Sequence, residues 1–549
     1  MKHEFNKEWL ALLILVIIIG TGIALATKFT IALIPLLLVF IGIIFFRLSG
    51  AVMAVIGLLV AIAVAVLFFR TDIMVSLGAL LYGIFKSFGI TIAVLLTMLM
   101  IFLMKEAKAL DTISEAVKRV AKTKEEIAIF IGVGFCAFVT SLGVVSPSLL
   151  PPFLMALGFD PFSSISISVL GQSGICSYSL LAIPITIPSD LFKIDALLYS
   201  YRIALYLPVV SMLVSFAVLF VIGGKESIKK GWILALASGL CIGISVLIFS
   251  FIRVPILILG VIAGLLTMLV LYFLCRKKGA IEEEKPLDWK SLSRALSPWL
   301  IVIIISLIIS VPDITKYLKG LDGPALYIYG QAIDFDVLIQ IYTWILVSTL
   351  ISIPILGING PTLKRVTATW MKRLVQPFLS YSLFFGMATI MSWSAMGVVN
   401  GKLAKLPEYN DFNMNVVIAN TLFNIFGGSF IFVAVWLGVF GAVVGGSEAS
   451  SNVMFYQIQK GIADKIWSPN PVGQPLSPED SRFLTNYGAH AAGGGVASAI
   501  TPSKINNAAV TIGQDAKMES DVMRKHLLVV ILITIVIGIL NGIFIMWSV

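Results

Sequence analysis

Long apolar stretches separated by short polar segments fill most of this 549-residue chain. The stretches at 9–26 and 527–546, for example, contain no charged residue. A helix needs about 20 consecutive apolar residues to cross a bilayer, whereas barrel strands alternate polar and apolar positions. The pattern therefore predicts an all-α polytopic membrane protein. Simple membrane spans are expected at 9–27, 30–46, 50–69, 77–104, 197–222, 232–251, 255–275, 297–311, 337–358, 376–400 and 527–548.

Two regions, 125–190 and 412–515, are apolar but too interrupted to form plain spans. Both contain two successive breaks that are rich in glycine and small polar residues. The breaks are LGVVSPS (142–148) and GQSG (171–174) in the first region, and GGSEASSN (445–452) and GAHAAGGG (488–495) in the second. Non-helical backbone within a bilayer is tolerated only where protein or a water-filled cavity surrounds it. Each region is therefore expected to form a re-entrant hairpin followed by a broken helix, as in many secondary transporters.

The charged residues of the connecting loops predict an orientation. Lysine and arginine cluster in 105–124, 276–294 and 364–373, whereas 312–336 is rich in aspartate. Cytoplasmic loops of membrane proteins carry an excess of basic residues. The prediction is a plasma-membrane protein with a cytoplasmic N-terminus and an external C-terminus. The two irregular regions then have opposite orientations, so the fold is expected to contain two inverted structural repeats.

On this basis the chain divides into three parts. Residues 1–222 form an N-terminal membrane half, residues 223–358 form connecting helices with the loop 276–294, and residues 359–549 form a C-terminal membrane half. The hairpins and broken helices belong to the first and third parts. Breaks from the two halves are expected to meet near the middle of the membrane.

The composition excludes several classes of protein. With 59% hydrophobic and 12% charged residues and a mean hydropathy of +1.02, the chain is too apolar for a soluble domain. The net charge of +10 lies mostly in loops beside apolar segments, which favours contact with lipid headgroups over a nucleic-acid partner. The four cysteines lack metal-like spacing, and neither a P-loop nor a metalloprotease motif is present. The sequence therefore predicts no enzyme, no metal and no cofactor.

The residues of the breaks are the candidates for substrate binding. A small carboxylate must exchange its water for hydrogen-bond donors, which half-helix N-termini and small polar side chains supply. The alternative is that these small residues only allow helices to pack closely. The predicted binding residues are Ser146, Ser148, Gln172, Ser173, Ser177, Ser447, Ser450, Ser451, Asn452 and Lys504.

Ionisable residues at membrane depth are costly and therefore informative. Glu448 lies inside a break, where desolvation disfavours the charged carboxylate, and it is the predicted carrier of a coupling proton. His490 is the second candidate for that role. The alternatives are a solvated carboxylate at a loop mouth for Glu448 and a hydrogen-bonded structural role for His490. Lys504 could bind the substrate carboxylate, pair with Glu448, or extend to the membrane interface. His3 and His526 lie at charged segment ends and are assigned no role.

Three segments of the chain resemble the lactate permease family of secondary carriers. They are LMALGFDP at 154–161, LGVFGAVVGGSEASSNVMFYQIQ at 437–459, and the stretch from GGGVASAITPSKINNAAVTIG to MESDVMRKHLL at 493–528. The resemblance implies proton-coupled uptake of L-lactate or glycolate, in a superfamily with paired re-entrant hairpins and broken helices.

Two other functions stay open at this point: a sodium-coupled carrier of organic anions and an anion channel, whose pore small polar breaks could also line. The expected partners are a small organic anion, H⁺ and the lipid bilayer, and a homodimer is an open option.

Overall fold

The computed structural model describes residues 27–44, 46, 48–143, 145–276, 288–309, 311–467 and 476–547. The expected span 9–27 lies outside this part except for Thr27. Residues 277–287 of the basic loop 276–294 lie outside it as well.

The N-terminal part of the described chain is almost entirely helical, because within lipid a helix satisfies its own backbone hydrogen bonds. Its helices are α1 (Thr27–Ile44), α2 (Gly50–Phe68), α3 (Ile73–Glu106), α4 (Ala109–Val120), α5 (Lys124–Ile129), α6 (Cys136–Ser141), α7 (Ser146–Ala156), α8 (Pro161–Ser173), α9 (Ser179–Phe192), α10 (Ala196–Ala204), α11 (Leu207–Phe251), α12 (Ile256–Arg276) and α13 (Trp289–Ile309). A π-helical segment, Phe130–Phe135, joins α5 to α6, and a 3₁₀ turn, Cys176–Tyr178, separates α8 from α9.

The C-terminal part adds two small β-hairpins to the helices. Its helices are α14 (Pro312–Leu321), α15 (Ile341–Leu356), α16 (Gly360–Arg373), α17 (Val375–Trp393), α18 (Tyr409–Phe412), α19 (Met414–Phe426), α20 (Phe430–Gly445), α21 (Glu448–Trp467), α22 (Ser481–Val496), α23 (Pro502–Thr511) and α24 (Ala516–Met546). Strand β1 (Leu326–Ile328) pairs antiparallel with β2 (Gln331–Ile333), and β3 (Met396–Val399) pairs antiparallel with β4 (Lys402–Lys405).

Seven helical segments of the described chain are long and apolar enough to cross a bilayer. They are Gly50–Phe68, Ile73–Glu106, Leu207–Phe251, Ile256–Arg276, Trp289–Ile309, Met414–Val443 and Ala516–Met546. Helices α16 and α17 would together make a further span, bent by 40° between them. Large apolar side chains such as Leu67, Phe251 and Met546 are exposed on the outer surface, as expected where lipid replaces water. The prediction of an all-α polytopic membrane protein is confirmed.

The expected spans 197–222 and 232–251 are separated where the sequence indicated, but their bounds differ. The short helix α10 comes first, and α11 then covers the rest of both spans as two helical segments. The two segments meet at Gly223 and Gly224, where the backbone leaves helical geometry. The basic residues that follow the kink lie at the start of the second segment rather than in a loop.

The expected span 376–400 is also wrong at its end. Helix α17 stops at Trp393, and strand β3 begins three residues later at Met396. The charged segment 401–411 holds β4 and the four-residue helix α18. Cross-strand pairing with β3 satisfies the backbone of β4.

The charged loops lie at opposite ends of helix α3. At its C-terminal end, Glu106 pairs with Arg365 of the basic segment that includes α16. At its N-terminal end, the carbonyl of Met74 accepts a hydrogen bond from the Tyr329 hydroxyl at 2.9 Å. With 34 residues, the helix is roughly 50 Å long. Two basic loops thus share one end of the molecule, and the acidic loop 312–336 lies at the other end.

Helices α20 and α21 form a helical hairpin. They pack side by side, and Gln459 on α21 donates to the carbonyl of Ala434 on α20 at 3.2 Å. The chain reverses at Gly446, whose φ of 74° is a left-handed conformation that glycine adopts without strain. Residues 445–452, which include this turn and the start of α21, are called the second tip below.

The first irregular region has a similar order of elements. The continuous helical arm 124–141 is followed by a reversal, and α7 returns beside the arm, with the rings of Phe135 and Phe153 6.3 Å apart. Residues 142–148 are called the first tip. Both tips therefore end in the N-terminal turn of a helix, at Ser146 and at Glu448.

The second break of the first region lies where the sequence indicated it. Helix α8 ends at Ser173, within GQSG, and the 3₁₀ turn Cys176–Tyr178 leads into α9. Two prolines, Pro184 and Pro188, lie inside α9.

The second break of the other region is not at 488–495. Helix α22 continues through GAHAAGGG and changes to a 3₁₀ turn only at Ala497–Ile500. The glycines serve close packing, because a Cβ on Gly493 would lie 2.5 Å from the carbonyl oxygen of Val435 on α20. The break comes before Pro502, since proline has no N–H and disfavours a helical residue before it.

Candidate functional site

The second tip meets the broken helix of the first half. The Ser177 hydroxyl, in the 3₁₀ turn between α8 and α9, donates to Glu448 Oε1 at 2.6 Å. Only 1% of Glu448 is exposed, which excludes a solvated carboxylate at a loop mouth. These residues are 271 positions apart in the sequence, so the contact joins the two halves of the chain.

A second contact across the halves depends on proline. The side-chain amide of Asn452 donates to the backbone carbonyl of Pro184 at 2.9 Å. In an uninterrupted helix this carbonyl would accept from residue 188, but Pro188 has no N–H. Asn452 therefore satisfies a carbonyl that the proline leaves without an intrahelical partner.

Lys504 lies in the first turn of α23 and is buried, with 6% of its surface exposed. Its ammonium group donates to the Ser498 hydroxyl at 2.7 Å and lies 3.5 Å from the sulfur of Cys176. Extension to the membrane interface is thereby excluded. Within the described part of the chain, Lys504 forms no ion pair with a carboxylate.

A small cavity of about 30 Å³ lies between these groups. Its polar lining consists of Gln172, Cys176, Ser179, Tyr381, Ser447, Glu448 and Lys504. A space of this size holds about one water molecule. A three-carbon acid would need the tips to separate from the broken helices.

The first tip is held by residues of both halves. The Ser146 hydroxyl lies 3.0 Å from Gln172 Oε1, to which it donates. The Ser148 hydroxyl accepts from the side-chain amide of Asn507 on α23 at 2.8 Å. The first tip therefore contacts α8 of its own half and α23 of the other half.

Three of the predicted serines direct their hydroxyls into their own backbone. Ser173 donates to the carbonyl of Leu170 at 2.6 Å, one turn earlier. Ser447 accepts from the N–H of Ser450, and the Ser450 hydroxyl donates to the carbonyl of Gly445 at 2.6 Å. Ser447 and Ser450 thus close the turn of the second tip, and Ser447 also lines the cavity.

His490, in the middle of α22, is fully buried and hydrogen-bonded. Its Nε2 lies 3.2 Å from the Ser451 hydroxyl, and its Nδ1 lies 3.1 Å from Nε2 of Gln459. His490 contacts the second tip through Ser451 but does not line the cavity.

Some buried acceptors in the site have no hydrogen-bond partner within the described residues. They are Glu448 Oε2, Asn452 Oδ1 and Asn507 Oδ1. Buried polar atoms are normally satisfied, and each exception calls for an explanation. In a membrane protein with a polar cavity, such groups favour a site that takes up a polar ligand.

Sequence reasoning missed several buried polar residues near the site. Asn506 and Asn507 belong to the segment TPSKINN, but no pattern in the sequence indicated that their side chains contact residues of the site. Glu519 is 2% exposed and accepts from the Asn506 amide at 2.7 Å and from the N–H of Gly50 at 3.1 Å. His526, which was assigned no role, is fully buried, and its Nδ1 lies 2.9 Å from the carbonyl of Ala499. The described residues contain no group of three or more His, Cys, Asp or Glu suited to a metal ion.

The chain is similar to known permeases over nearly its whole length. A family model described as L-lactate permease matches residues 28–547. The L-lactate permease of Escherichia coli (strain K12) is 22% identical over 569 aligned residues, which cover 94% of this chain and 96% of the relative. The glycolate permease of the same strain is 23% identical over 555 residues, covering 91% and 93%. The L-lactate permease of Streptococcus iniae is 22% identical over 447 residues, covering 79% and 90%.

Proposed function

Because the chain belongs to the L-lactate permease family, we propose that it is a secondary active transporter that carries a small monocarboxylate, such as L-lactate or glycolate, together with a proton. The observation that supports this most is that a buried acid and a buried base line the same cavity. Glu448 and Lys504 both line that cavity, and they come from different elements of the second half.

Lys504 is the cation for the substrate carboxylate. Its ammonium group is buried and lies in the first turn of α23, where the N-terminal end of a helix also favours an anion. Gln172, which lines the cavity, and Ser146 and Ser148 of the first tip supply neutral donors and acceptors. A desolvated carboxylate requires such groups in place of water.

Glu448 carries the proton. When Glu448 is ionised, its Oε2 and the Oδ1 of Asn452 are both acceptors, and neither has a partner within the described residues. They lie one turn apart on α21. Protonation of Oε2 would convert one acceptor into a donor and remove a buried negative charge, which is costly within a membrane.

Charge balance explains why the two cargoes would move together. The empty site holds one negative group, Glu448, and one positive group, Lys504. Substrate alone adds a negative charge, and a proton alone adds a positive one. Unbalanced buried charge costs several kcal/mol, so only the empty site and the doubly loaded site are expected to change access between the two sides.

The two irregular regions form inverted repeats, each with a re-entrant hairpin and a broken helix. Support comes from the contacts at the open ends of the two hairpins. Lys124 lies at the start of the first hairpin, and its ammonium group donates to the carbonyl of Ile222, beside the kink of α11, at 3.3 Å. This start follows in the chain after the end of α3 that carries Glu106. Lys465, near the end of the second, donates to Asn420 of α19 at 3.1 Å.

The second hairpin thus opens toward the end of the molecule that carries the β-hairpins, and the first toward the basic end. With basic loops in the cytoplasm, the N-terminus is cytoplasmic and the C-terminus external, in the plasma membrane. Residues 1–222, 223–358 and 359–549 then form the two membrane halves and their connection.

Uptake into proteoliposomes tests this function. Labelled L-lactate, glycolate and succinate are offered under an imposed proton gradient or an imposed sodium gradient. Saturable accumulation of L-lactate or glycolate above equilibrium, driven by protons only, is the expected result. Accumulation driven by sodium would instead establish a sodium-coupled carrier, and flux that only equilibrates the anion would establish a channel.

A further inference from the structure

A line of buried side chains leads from the second tip along three helices, α21, α22 and α24, to Tyr206, which lies just before α11. The Ser451 hydroxyl lies 3.2 Å from His490 Nε2, and His490 Nδ1 lies 3.1 Å from Gln459 Nε2. Beyond these, Asn486 Nδ2 lies 2.8 Å from Gln459 Oε1, Asn541 Nδ2 lies 3.0 Å from Asn486 Oδ1, and the Tyr206 hydroxyl lies 2.8 Å from Asn541 Oδ1. All six side chains are buried. The line is separate from the cavity that Glu448 and Lys504 share.

Backbone carbonyls determine which atoms donate in this line. A carbonyl oxygen only accepts, so the Gln459 atom 3.2 Å from the carbonyl of Ala434 must be its amide nitrogen. The same argument applies to Asn541, whose Nδ2 lies 2.6 Å from the carbonyl of Ile431. At the other end, Ser451 donates to the carbonyl of Gly438 at 3.0 Å, which uses its only hydrogen.

These assignments leave His490 a single arrangement. The second N–H of Gln459 points at Nδ1, which must therefore accept. The Ser451 hydroxyl has given its hydrogen to Gly438, so Nε2 must donate to it. The imidazole is thus neutral, with its hydrogen on Nε2. A second proton on Nδ1 would face the N–H of Gln459, and turning that amide around would lose the bonds to Ala434 and Asn486.

We propose that His490 is a positioning residue: as the neutral Nε2–H tautomer it anchors the second tip at Ser451, and it does not carry the coupling proton. This inference rests on the proposed function, since the tip it anchors carries Glu448 and Asn452. A buried donor or acceptor that loses its partner costs about 1–3 kcal/mol. The line therefore holds the tip in one place relative to α22 and α24.

The groups that face His490 are aromatic rings and backbone carbonyls. Tyr487, on its own helix, stacks against the imidazole with 5.7 Å between ring centroids, and Phe455 of α21 lies at 5.9 Å. Helix α20 contributes the carbonyl of Gly438 through Ser451, and the backbone carbonyl of Ser451 lies 3.4 Å from Nε2, where it can only accept. The carboxyl group of the second tip, Glu448, packs on Gly494 and Gly495, one turn further along α22.

Nitrogen NMR of the imidazole tests the tautomer directly and does not require transport. The chain has three histidines, so a protein labelled with [¹⁵N]histidine in lipid nanodiscs gives a simple spectrum, and His490→Gln identifies the signals of His490. The expected result is a neutral ring with its hydrogen on Nε2 from about pH 5 to about pH 8. An imidazolium in this range, or the Nδ1–H tautomer, would overturn the inference. Gln459→Glu places an acceptor beside Nδ1 and should introduce a proton there.

Transport by matched variants tests the positioning role. His490→Gln keeps one donor and one acceptor but cannot ionise, so proton-driven accumulation and its pH profile should equal those of the unaltered protein. His490→Leu removes both bonds and should raise KM for the substrate about tenfold, with the pH profile unshifted. Ser451→Ala removes one bond from the other side and should raise KM in the same direction.

Two outcomes of these assays contradict the inference. If His490→Gln loses accumulation but retains exchange, His490 carries the proton. If KM is unchanged in both His490→Leu and Ser451→Ala, the line does not position the tip. Should the unaltered protein show no proton-driven uptake, the proposed function fails, while the NMR spectrum still decides the state of His490.

Discussion

Asn452 on α21 donates its side-chain amide to the backbone carbonyl of Pro184 on α9, with 2.9 Å between nitrogen and oxygen. The contact joins the tip of the second helical hairpin to the broken helix of the first half. It exists because Pro188 cannot donate to that carbonyl. A proline of the first half thus leaves a carbonyl free, and the side chain of Asn452 from the second half binds it.

Asn452→Ala should weaken substrate binding, because it leaves the Pro184 carbonyl unsatisfied and frees the second tip. We expect KM to rise about tenfold, since an orphaned buried acceptor costs about 1–3 kcal/mol. Initial uptake rates in proteoliposomes measure this. Adding Pro188→Ala to the variant supplies an N–H within α9 and should recover part of the affinity. A fully folded Asn452→Ala protein with unchanged kinetics would show that this contact does not support the site.

Glu448→Gln should abolish accumulation driven by a proton gradient while preserving exchange of labelled for unlabelled substrate. The amide imitates the protonated carboxyl at nearly constant volume, and exchange requires no net release of a proton. Counterflow and gradient-driven uptake, measured on the same vesicles, separate the two activities. Glu408→Gln is the control, because Glu408 is 45% exposed and pairs with Arg70 at the surface. Coupling resides elsewhere if the Glu448→Gln protein still concentrates substrate.

Lys504→Met should remove most of the substrate affinity, because the carboxylate loses its only buried cationic partner among the residues that line the cavity. Truncating one partner of a buried charge pair typically costs 2–5 kcal/mol, so we expect a loss of about thirtyfold or more. Lys465→Met serves as the control, since Lys465 is exposed and contacts Asn420. Equal affinities of the two variants for L-lactate would argue against Lys504 as the substrate cation.

Cysteine labelling tests the orientation. Lys402 of β4 and Lys364 of α16 are both exposed and lie at opposite ends of the molecule. A membrane-impermeant maleimide added from outside should modify Lys402→Cys and spare Lys364→Cys in intact cells. The reverse pattern would invert the assignment. The segment 463–482 is less suitable for this test, because residues 468–475, including Pro471, lie outside the described residues.

Gly438→Ala should prevent the close packing of α20 on α22. A Cβ at this position would lie 1.8 Å from the carbonyl oxygen of His490, and backbone cannot yield as a flexible side chain can. We expect a lower melting temperature and less folded protein in detergent. Gly461→Ala is the matched control, because no atom lies within 4 Å of the added Cβ and alanine favours a helix. Equal stability of the two variants would contradict this packing.

Several parts of the fold could be predicted from the sequence because they depend on local composition. The expected spans 50–69 and 255–275 correspond to α2 and α12 within one residue at each end. Glu448 was identified as an unusual acid within an apolar region, and the structure buries it against Ser177. Such features can be recognised in a sequence because the membrane interior tolerates few charged residues and few interruptions of a helix.

Other parts could not be predicted, because the same residue types serve more than one purpose. The glycines of GAHAAGGG were expected to break a helix, but they allow α22 to approach α20. His526 and Glu519 lie beside charged residues in the sequence, yet both are buried. No role was assigned to His526, and Glu519 was not singled out. Whether a glycine interrupts or packs, and whether a charged segment is exposed, depends on helices distant in the sequence.

The sequence by itself determined the class of the protein, the approximate position of most spans and three of the four breaks, because hydropathy and small polar residues act over a few helical turns. Only the tertiary structure decided which groups face each other: Glu448 with Ser177, Asn452 with Pro184, and the line from Ser451 through His490 to Tyr206. Hydrogen bonds need partners within about 3 Å, and the partners here are 27 to 335 residues apart in the sequence. Their pairing follows from how the helices pack, which no local pattern encodes.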